Sequence, residues 1–188
     1  MNLNIISLEE VLTGNYRLED FIDIEHNLHD LHGNIYGNDY WTLENFLDPL
    51  PEKLHLSKIC VSDNRIIGFS IAYLYSTDWA HISRVGIDPK NQGLGYGKKM
   101  LLLQLDSVND LKIKMCTIDV KSKNVKAIHL YNNLGFLKFT EKYLQKYVQL
   151  RNRVEEEYLN SESIYTAMYK NFCQQSSGNL LFHFLGHE

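Results

Sequence analysis

The chain has 188 residues, 44% of them apolar and 22% charged, which fits one globular domain with appendages. Lys and Arg number 19 against 23 Asp and Glu, so a formal net charge of -4 gives no electrostatic case for nucleic acid. No apolar stretch approaches the ~20 residues of a membrane span, and MNLNIISLEE lacks the basic region and apolar core of a secretory signal. Three widely spaced cysteines, Cys60, Cys116 and Cys173, read as free thiols. Together these features predict a cytoplasmic protein.

Leu3 to Leu8 is a short apolar run and is expected to be the first strand. Tyr16 to His32 carries Leu18, Phe21, Ile22, Ile24 and Leu28 at helical spacing. Thr42 is a candidate N-cap for a short second helix, with Asn45 in place of Glu at the capping-box position. Pro49 and Pro51 make Asp48 to Glu52 a loop. Leu56 to Ser62 and Ile66 to Ser76 read as a hairpin turning at Asp63-Asn64, and Trp79 to Ile87 as the next strand.

Gln92-Gly93-Leu94-Gly95-Tyr96-Gly97 follows that strand and precedes a helix predicted over Tyr96 to Ser107. Glycines at a strand-to-helix junction leave backbone N–H groups available to a phosphate, with the helix N-terminus behind them. Leu111 to Val120 reads as a strand. Asn124 to Asn133 reads as a helix ended by Leu134-Gly135, and Phe136 to Phe139 as a further strand. Tyr143 to Asn160 is charged and predicted helical. Ile164 to Phe172 is the last strand, and Leu180 to Leu185 is a small apolar patch. The order predicts an α/β fold: a mixed central sheet of about seven strands flanked by helices, with a helical insertion between the last two strands.

The glycine spacing excludes two ligand classes. A dinucleotide fold places GxGxxG after the first strand, whereas this chain has GxGxG after several. A P-loop ends in Gly-Lys-Ser/Thr, but Gly97-Lys98-Lys99 lacks the hydroxyl that holds magnesium. Coenzyme A pyrophosphate is the third candidate. Here the chain resembles the GNAT superfamily of acyl-CoA-dependent N-acyltransferases. That family's loop runs Arg or Gln, two residues, Gly, one residue, Gly or Ala, and Gln92, Gly95 and Gly97 match it. Ile87, Asp88 and Pro89 match the apolar-x-Pro that precedes the loop. Asn124, Ala127, Tyr131, Gly135 and Phe136 match a second signature in register. The likeness covers residues 55 to 140 well and the N-terminal helices more loosely.

The resemblance implies acetyl-CoA as co-substrate, no metal, and a primary amine attacking the thioester directly in a ternary complex. Such a transfer needs both reactants held together, a neutral amine, a polarised carbonyl and a protonated leaving thiolate. Gln92, Gly93, Leu94, Gly95, Tyr96 and Gly97 would present N–H groups to the pyrophosphate, with Lys98 or Lys99 adding charge. Val85 and Ile87 would offer backbone groups to the pantetheine arm, and Gly86 would mark a bulge there or simply allow close packing. Asn124 would bond the cofactor arm or simply cap its helix. Tyr131 resembles the general acid, a phenol that stays protonated at neutral pH.

For the base, His81 lies eleven residues before Gln92, and its parity with Ser83, Val85 and Ile87 is expected to face it toward the thioester. Asp78, Glu141 and Tyr143 are reserves. His26, His29 and His32 share a helix side, but nothing completes a tetrahedral zinc set. The acids Glu19, Asp20, Asp23, Glu25 and Asp30 either form a solvated face or attract a cationic acceptor.

Residues 1–172 are expected to form the catalytic domain and 173–188 a tail. The segment 143–163, longer than the short hairpin of many family members, is expected to border the acceptor site or make a subunit contact, as in a homodimer. The acceptor ranges from a small amine or amino sugar to a protein lysine or N-terminus. Trp41-Thr42 with Phe46 faintly resembles protein N-terminal acetyltransferases. The alternatives are a non-catalytic acyl-CoA-binding sensor, or a scaffold that loses assembly when Asn179 to Glu188 is deleted.

Overall fold

The structure is a computed structural model that describes residues 3–13, 28–37, 41–63, 65–151 and 165–172. The chain divides into two compact units, Met1–Leu111 and Lys112–Glu188.

In the first unit, β1 (Leu3–Ser7), β2 (Lys58–Ser62), β3 (Arg65–Ser76) and β4 (Trp79–Ile87) pair antiparallel in that order. Between β1 and β2 lie α1 (Leu8–Thr13), helical residues 28–36 (α2), α3 (Leu43–Leu47) and α4 (Lys53–Leu56). A 3-10 turn, Pro89–Asn91, leads into the long helix α5 (Tyr96–Asp110).

The local chemistry explains these elements. Ser7 and Glu10 form a reciprocal cap: the Glu10 N–H donates to Ser7 Oγ at 3.0 Å, and the Ser7 N–H to Glu10 Oε2 at 2.7 Å. Those bonds hold the Glu10 carboxyl below its ordinary range. The serine was expected to continue a strand into Leu8. The cap starts α1 there instead. Helix α2 runs past the expected end at His32 and stops at Gly37, whose φ of +62° suits the C′ position. The expected start of that helix lies outside the described residues. Thr42 caps α3 as expected, its N–H donating to Asn45 Oδ1 at 3.0 Å. The short helix α4 was not foreseen. Lys53 anchors it, its buried Nζ donating to the Asn45 carbonyl at 2.6 Å and to Asp48.

Two layers cover the sheet. On one face, His32 and Tyr36 of α2, Trp41 and Phe46 stack around Phe69 of β3. On the other, Tyr96 and Met100 of α5 pack with Cys60, Val85 and Ile87. There Gln104 is fully buried and satisfied: it accepts from Ser70 Oγ at 2.6 Å and donates to the carbonyls of Ser70 and Leu56.

The register of β3 and β4 is interrupted. Ile71 pairs with Arg84 and Ala72 with Ile82, which leaves Ser83 as an extra residue. A one-residue bulge reverses the alternation of faces on either side of it.

In the second unit, β7 (Tyr165–Asn171) pairs antiparallel with both β5 (Met115–Lys121) and β6 (Leu137–Lys138) and lies between them. Helix α6 (Val125–Asn133) joins β5 to β6. It ends at Gly135, φ +86°, where Lys170 Nζ of β7 donates to the Leu134 carbonyl at 2.6 Å. Helix α7 (Glu141–Leu150) opens the connection that was expected to be helical. Residues 152–164 and the 173–188 tail lie outside the described residues. Among the described residues the strands number seven, as expected. Among the described residues, no helix is long and apolar enough to cross a membrane.

Candidate active site

The glycine loop belongs to the first unit. Gly93 and Gly95 both have φ of +80°, a conformation costly for any residue with a Cβ, while open space surrounds both. Glycine is therefore demanded by backbone angle rather than by crowding. Gly95 is the N-cap of α5 and brings no side chain to it. The early N–H groups of a helix lack intrahelical partners, so Tyr96, Gly97 and Lys98 present donors at the positive end of the helix dipole. Leu94, Lys98 and Lys99 are exposed. Gly97 does not share the constraint: a Cβ there would make only ordinary contact with Ile87 Cγ1 at 3.5 Å. Replacing Gly95 by Val is expected to cost about 1–2 kcal/mol from the left-handed angle alone, measured as a lowered urea midpoint.

Gln92 folds back, its Nε2 donating to the Ile87 carbonyl at 2.9 Å. It thus ties the loop to the end of β4. Asp88 Oδ1 accepts from the Lys90 N–H at 3.0 Å and seats Pro89 in the 3-10 turn.

Two expectations about β4 are corrected, and at a third position the structure adds a partner. First, the bulge at Ser83 breaks the parity assigned to His81. His81 pairs with Tyr73 and Arg84 with Ile71, whereas Val85 pairs with Ser70. His81 therefore shares the α2 face with Arg84 and Gly86, and Val85 and Ile87 lie on the α5 face. Second, Gly86 is not at the bulge. A Cβ on it would come within 2.5 Å of Ile35 Cδ1 and 3.3 Å of Phe69 Cζ, so its smallness lets α2 rest on the sheet. Third, both Val85 backbone groups are engaged. Tyr36 Oη donates to the Val85 carbonyl at 2.7 Å and accepts from the Val85 N–H at 3.2 Å.

His81 is 1% exposed and meets Tyr73 edge-on at 5.7 Å. The Arg84 guanidinium lies 4.7 Å from the Tyr36 ring centroid and 5.1 Å from that of Trp41. Asp78 lies in the turn between β3 and β4.

His32 is completely buried, and its Nδ1 accepts the Trp41 N–H at 3.1 Å, which requires a neutral ring. Its role is packing. His29 lies beside Asp30 at 3.5 Å, and His26 lies outside the described residues. Of the proposed acidic face only Asp30 is described. Among the described residues, no group of three or more His, Cys, Asp or Glu could hold a metal ion.

The second unit holds Asn124 and Tyr131. Asn124 is the N-cap of α6, its side chain accepting the Ala127 N–H at 3.1 Å. Tyr131, two turns further on, is 6% exposed and tilted against Phe136 at 6.0 Å. Glu141 is exposed in the first turn of α7, and Tyr143 is half-buried.

Sequence reading missed Asp119 of β5. Its Oδ1 accepts the hydroxyl proton of Tyr147, a fully buried side chain of α7, at 2.7 Å. A carboxylate near the end of the strand before the Asn124 helix is visible in the sequence, but its phenol partner is 28 residues away.

Cys60 and Cys116 are free and buried, and burial pushes their thiols up to about 11 and about 12. Both stay protonated, so neither supplies the thiolate that an acyl-cysteine intermediate needs. Cys173 lies outside the described residues.

Residues 18–136 match the family described as the acetyltransferase (GNAT) family. The chain belongs to that family. It is 31% identical to the mycothiol acetyltransferase of Thermomonospora curvata over 105 residues, which is 53% of this chain and 34% of that protein. It is 27% identical to the [ribosomal protein bS18]-alanine N-acetyltransferase of Salmonella typhimurium over 51% of this chain and 64% of that protein. The matched stretches thus span less than two thirds of these relatives. Among solved structures, the Escherichia coli ribosomal-protein-S18-alanine N-acetyltransferase superposes with a TM-score of 0.63 at 17% identity, over 94% of this chain and 98% of that one. The fold is that of this family, as the sequence predicted.

Proposed function

We propose that this chain transfers an acetyl group from acetyl-CoA to a primary amine by direct attack in a ternary complex. The observation that carries the reading is the glycine-built, side-chain-free N-terminus of α5, within a chain of the GNAT family. It is suited to a pyrophosphate, and Gln92, Gly93, Leu94, Gly95, Tyr96, Gly97 and Lys98 bind it. The pantetheine arm pairs along β4 at Val85 and Ile87, and the Val85 N–H polarises the thioester oxygen. Asn124 borders the cofactor arm, and Tyr131 protonates the departing sulfur.

Two groups compete for the role of base. His81 lies on the α2 face, the side on which the aromatic cluster lies. Asp119 is the second, supported by the directed hydrogen bond from Tyr147. His81→Ala and Asp119→Asn, compared in a thiol-release assay, decide between them. The base variant is expected to lose about 10²-fold or more in kcat near neutral pH, regained in part as pH rises. If both variants keep full turnover, neither is the base.

The acceptor is a protein or peptide α-amine in this reading. The likeness to the [ribosomal protein bS18]-alanine N-acetyltransferase supports it. A panel of peptides beginning with Ala, Ser or Met, set beside a small amino sugar, tests it. Turnover of the amino sugar alone refutes the peptide assignment. Coenzyme A binding with no amine turned over would favour a sensor.

A further inference from the structure

Tyr36 ends α2, and its ring is gripped from several sides. His32 stacks on it at 4.6 Å between centroids, the Arg84 guanidinium covers it at 4.7 Å, and Phe69 lies 6.4 Å away. The hydroxyl reaches out of this grip to Val85, 49 residues on, and satisfies both backbone groups of that residue.

The strand register explains why those groups are available. Along an antiparallel pair, residues alternate between bonding their partner and turning their peptide groups to the opposite edge. Val85 bonds a side chain at both its N–H and its C=O, so it is of the second kind, with its groups turned away from β3. A strand peptide turned away from its ladder partner pairs naturally with another extended, amide-bearing chain. A phenol offers one donor and one acceptor. It therefore presents to Val85 the same complement that an amide of an extended arm would present.

We infer that Tyr36 is an internal stand-in for the acyl-CoA arm: its hydroxyl occupies the Val85 peptide until the donor arrives, and the donor must displace it. This rests on the reading above that the arm pairs along β4. The consequence concerns donor affinity. Each displaced bond is replaced by an equivalent one, so the Tyr36 hydroxyl lowers the gain from binding without altering what the bound arm touches.

Tyr36→Phe removes the hydroxyl and keeps the ring with its stacking partners. Coenzyme A is expected to bind the variant about tenfold more tightly by calorimetry, the scale of one or two net hydrogen bonds. The KM for acetyl-CoA should fall in parallel. A purely structural Tyr36 predicts the reverse sign, because freeing Val85 would loosen β4. Equal or weaker affinity in a variant with unchanged circular dichroism overturns the inference while leaving the proposed function standing. Failure of wild type and variant alike to bind coenzyme A overturns the proposed function, and this inference with it. A crystal structure with coenzyme A bound is the second measurement. Tyr36 Oη more than 3.5 Å from the Val85 nitrogen supports displacement, and an unbroken bond there overturns it.

Discussion

Tyr131→Phe is expected to lower kcat by two to four orders of magnitude (about 10²–10⁴), the range for a positioned general acid. The KM for acetyl-CoA should hardly change. The substitution keeps the aromatic ring, and with it the packing against Phe136 that leaves Tyr131 6% exposed. What the proposed reaction assigns to the hydroxyl, a proton for the departing thiolate, is lost. Phenylalanine has no proton to donate at any pH, so the defect should persist from pH 5 to 8 rather than titrate away. Steady-state thiol release over the pH series measures this, with circular dichroism as the control for folding. Full turnover in Tyr131→Phe would remove the acid from the mechanism and leave the fold assignment intact.

The second large effect is one of stability. Phe69 is wholly buried at the centre of the first unit's aromatic cluster, with Phe46 at 5.4 Å and His32 at 5.7 Å. Phe69→Ala is expected to cost about 3–5 kcal/mol, the usual loss for a large buried aromatic. For a chain of this length that lowers the melting midpoint by roughly 10 °C. The consequence reaches the site, because Phe69 pairs with Gly86 and supports the helix that carries Tyr36. Coenzyme A affinity should shift along with stability. Differential scanning calorimetry and coenzyme A titration of the same preparation test both. A loss below about 1 kcal/mol would show that the cluster closes over the gap.

Some of this molecule is written in neighbouring residues. Gly93, Gly95 and Gly135 need positive φ, a demand met within one residue. Asn124 reaches its partner three residues on, and Thr42 meets Asn45 at the same spacing. The cap between Ser7 and Glu10 is equally local, an S-x-x-E box directly after an apolar run of strand character. The lysine that fastens α4 carried no such local sign. Its partners Asn45 and Asp48 lie on a different element.

The face of His81 shows the other kind of information. Alternation along β4 is a local rule, and it predicted that His81 and Val85 would look the same way. The bulge at Ser83 reverses that, and a bulge is a property of two paired strands rather than of one. Of the two readings of Gly86, bulge or close packing, the structure selects close packing, again through a distant partner. The glycine's missing side chain answers to Ile35, 51 residues earlier in the chain.

The sequence by itself determined the glycine loop between β4 and α5, the capped helix bearing Asn124 and Tyr131, and through their order the family. Those features depend on backbone angles and on bonds within one helical turn. Only the tertiary structure decided which residues share a face with His81, that Asp119 meets Tyr147, and that Tyr36 takes both peptide groups of Val85. Each of these contacts joins residues far apart in the chain. They form only when strand register and helix packing bring the two ends together, and no local spacing encodes that closure.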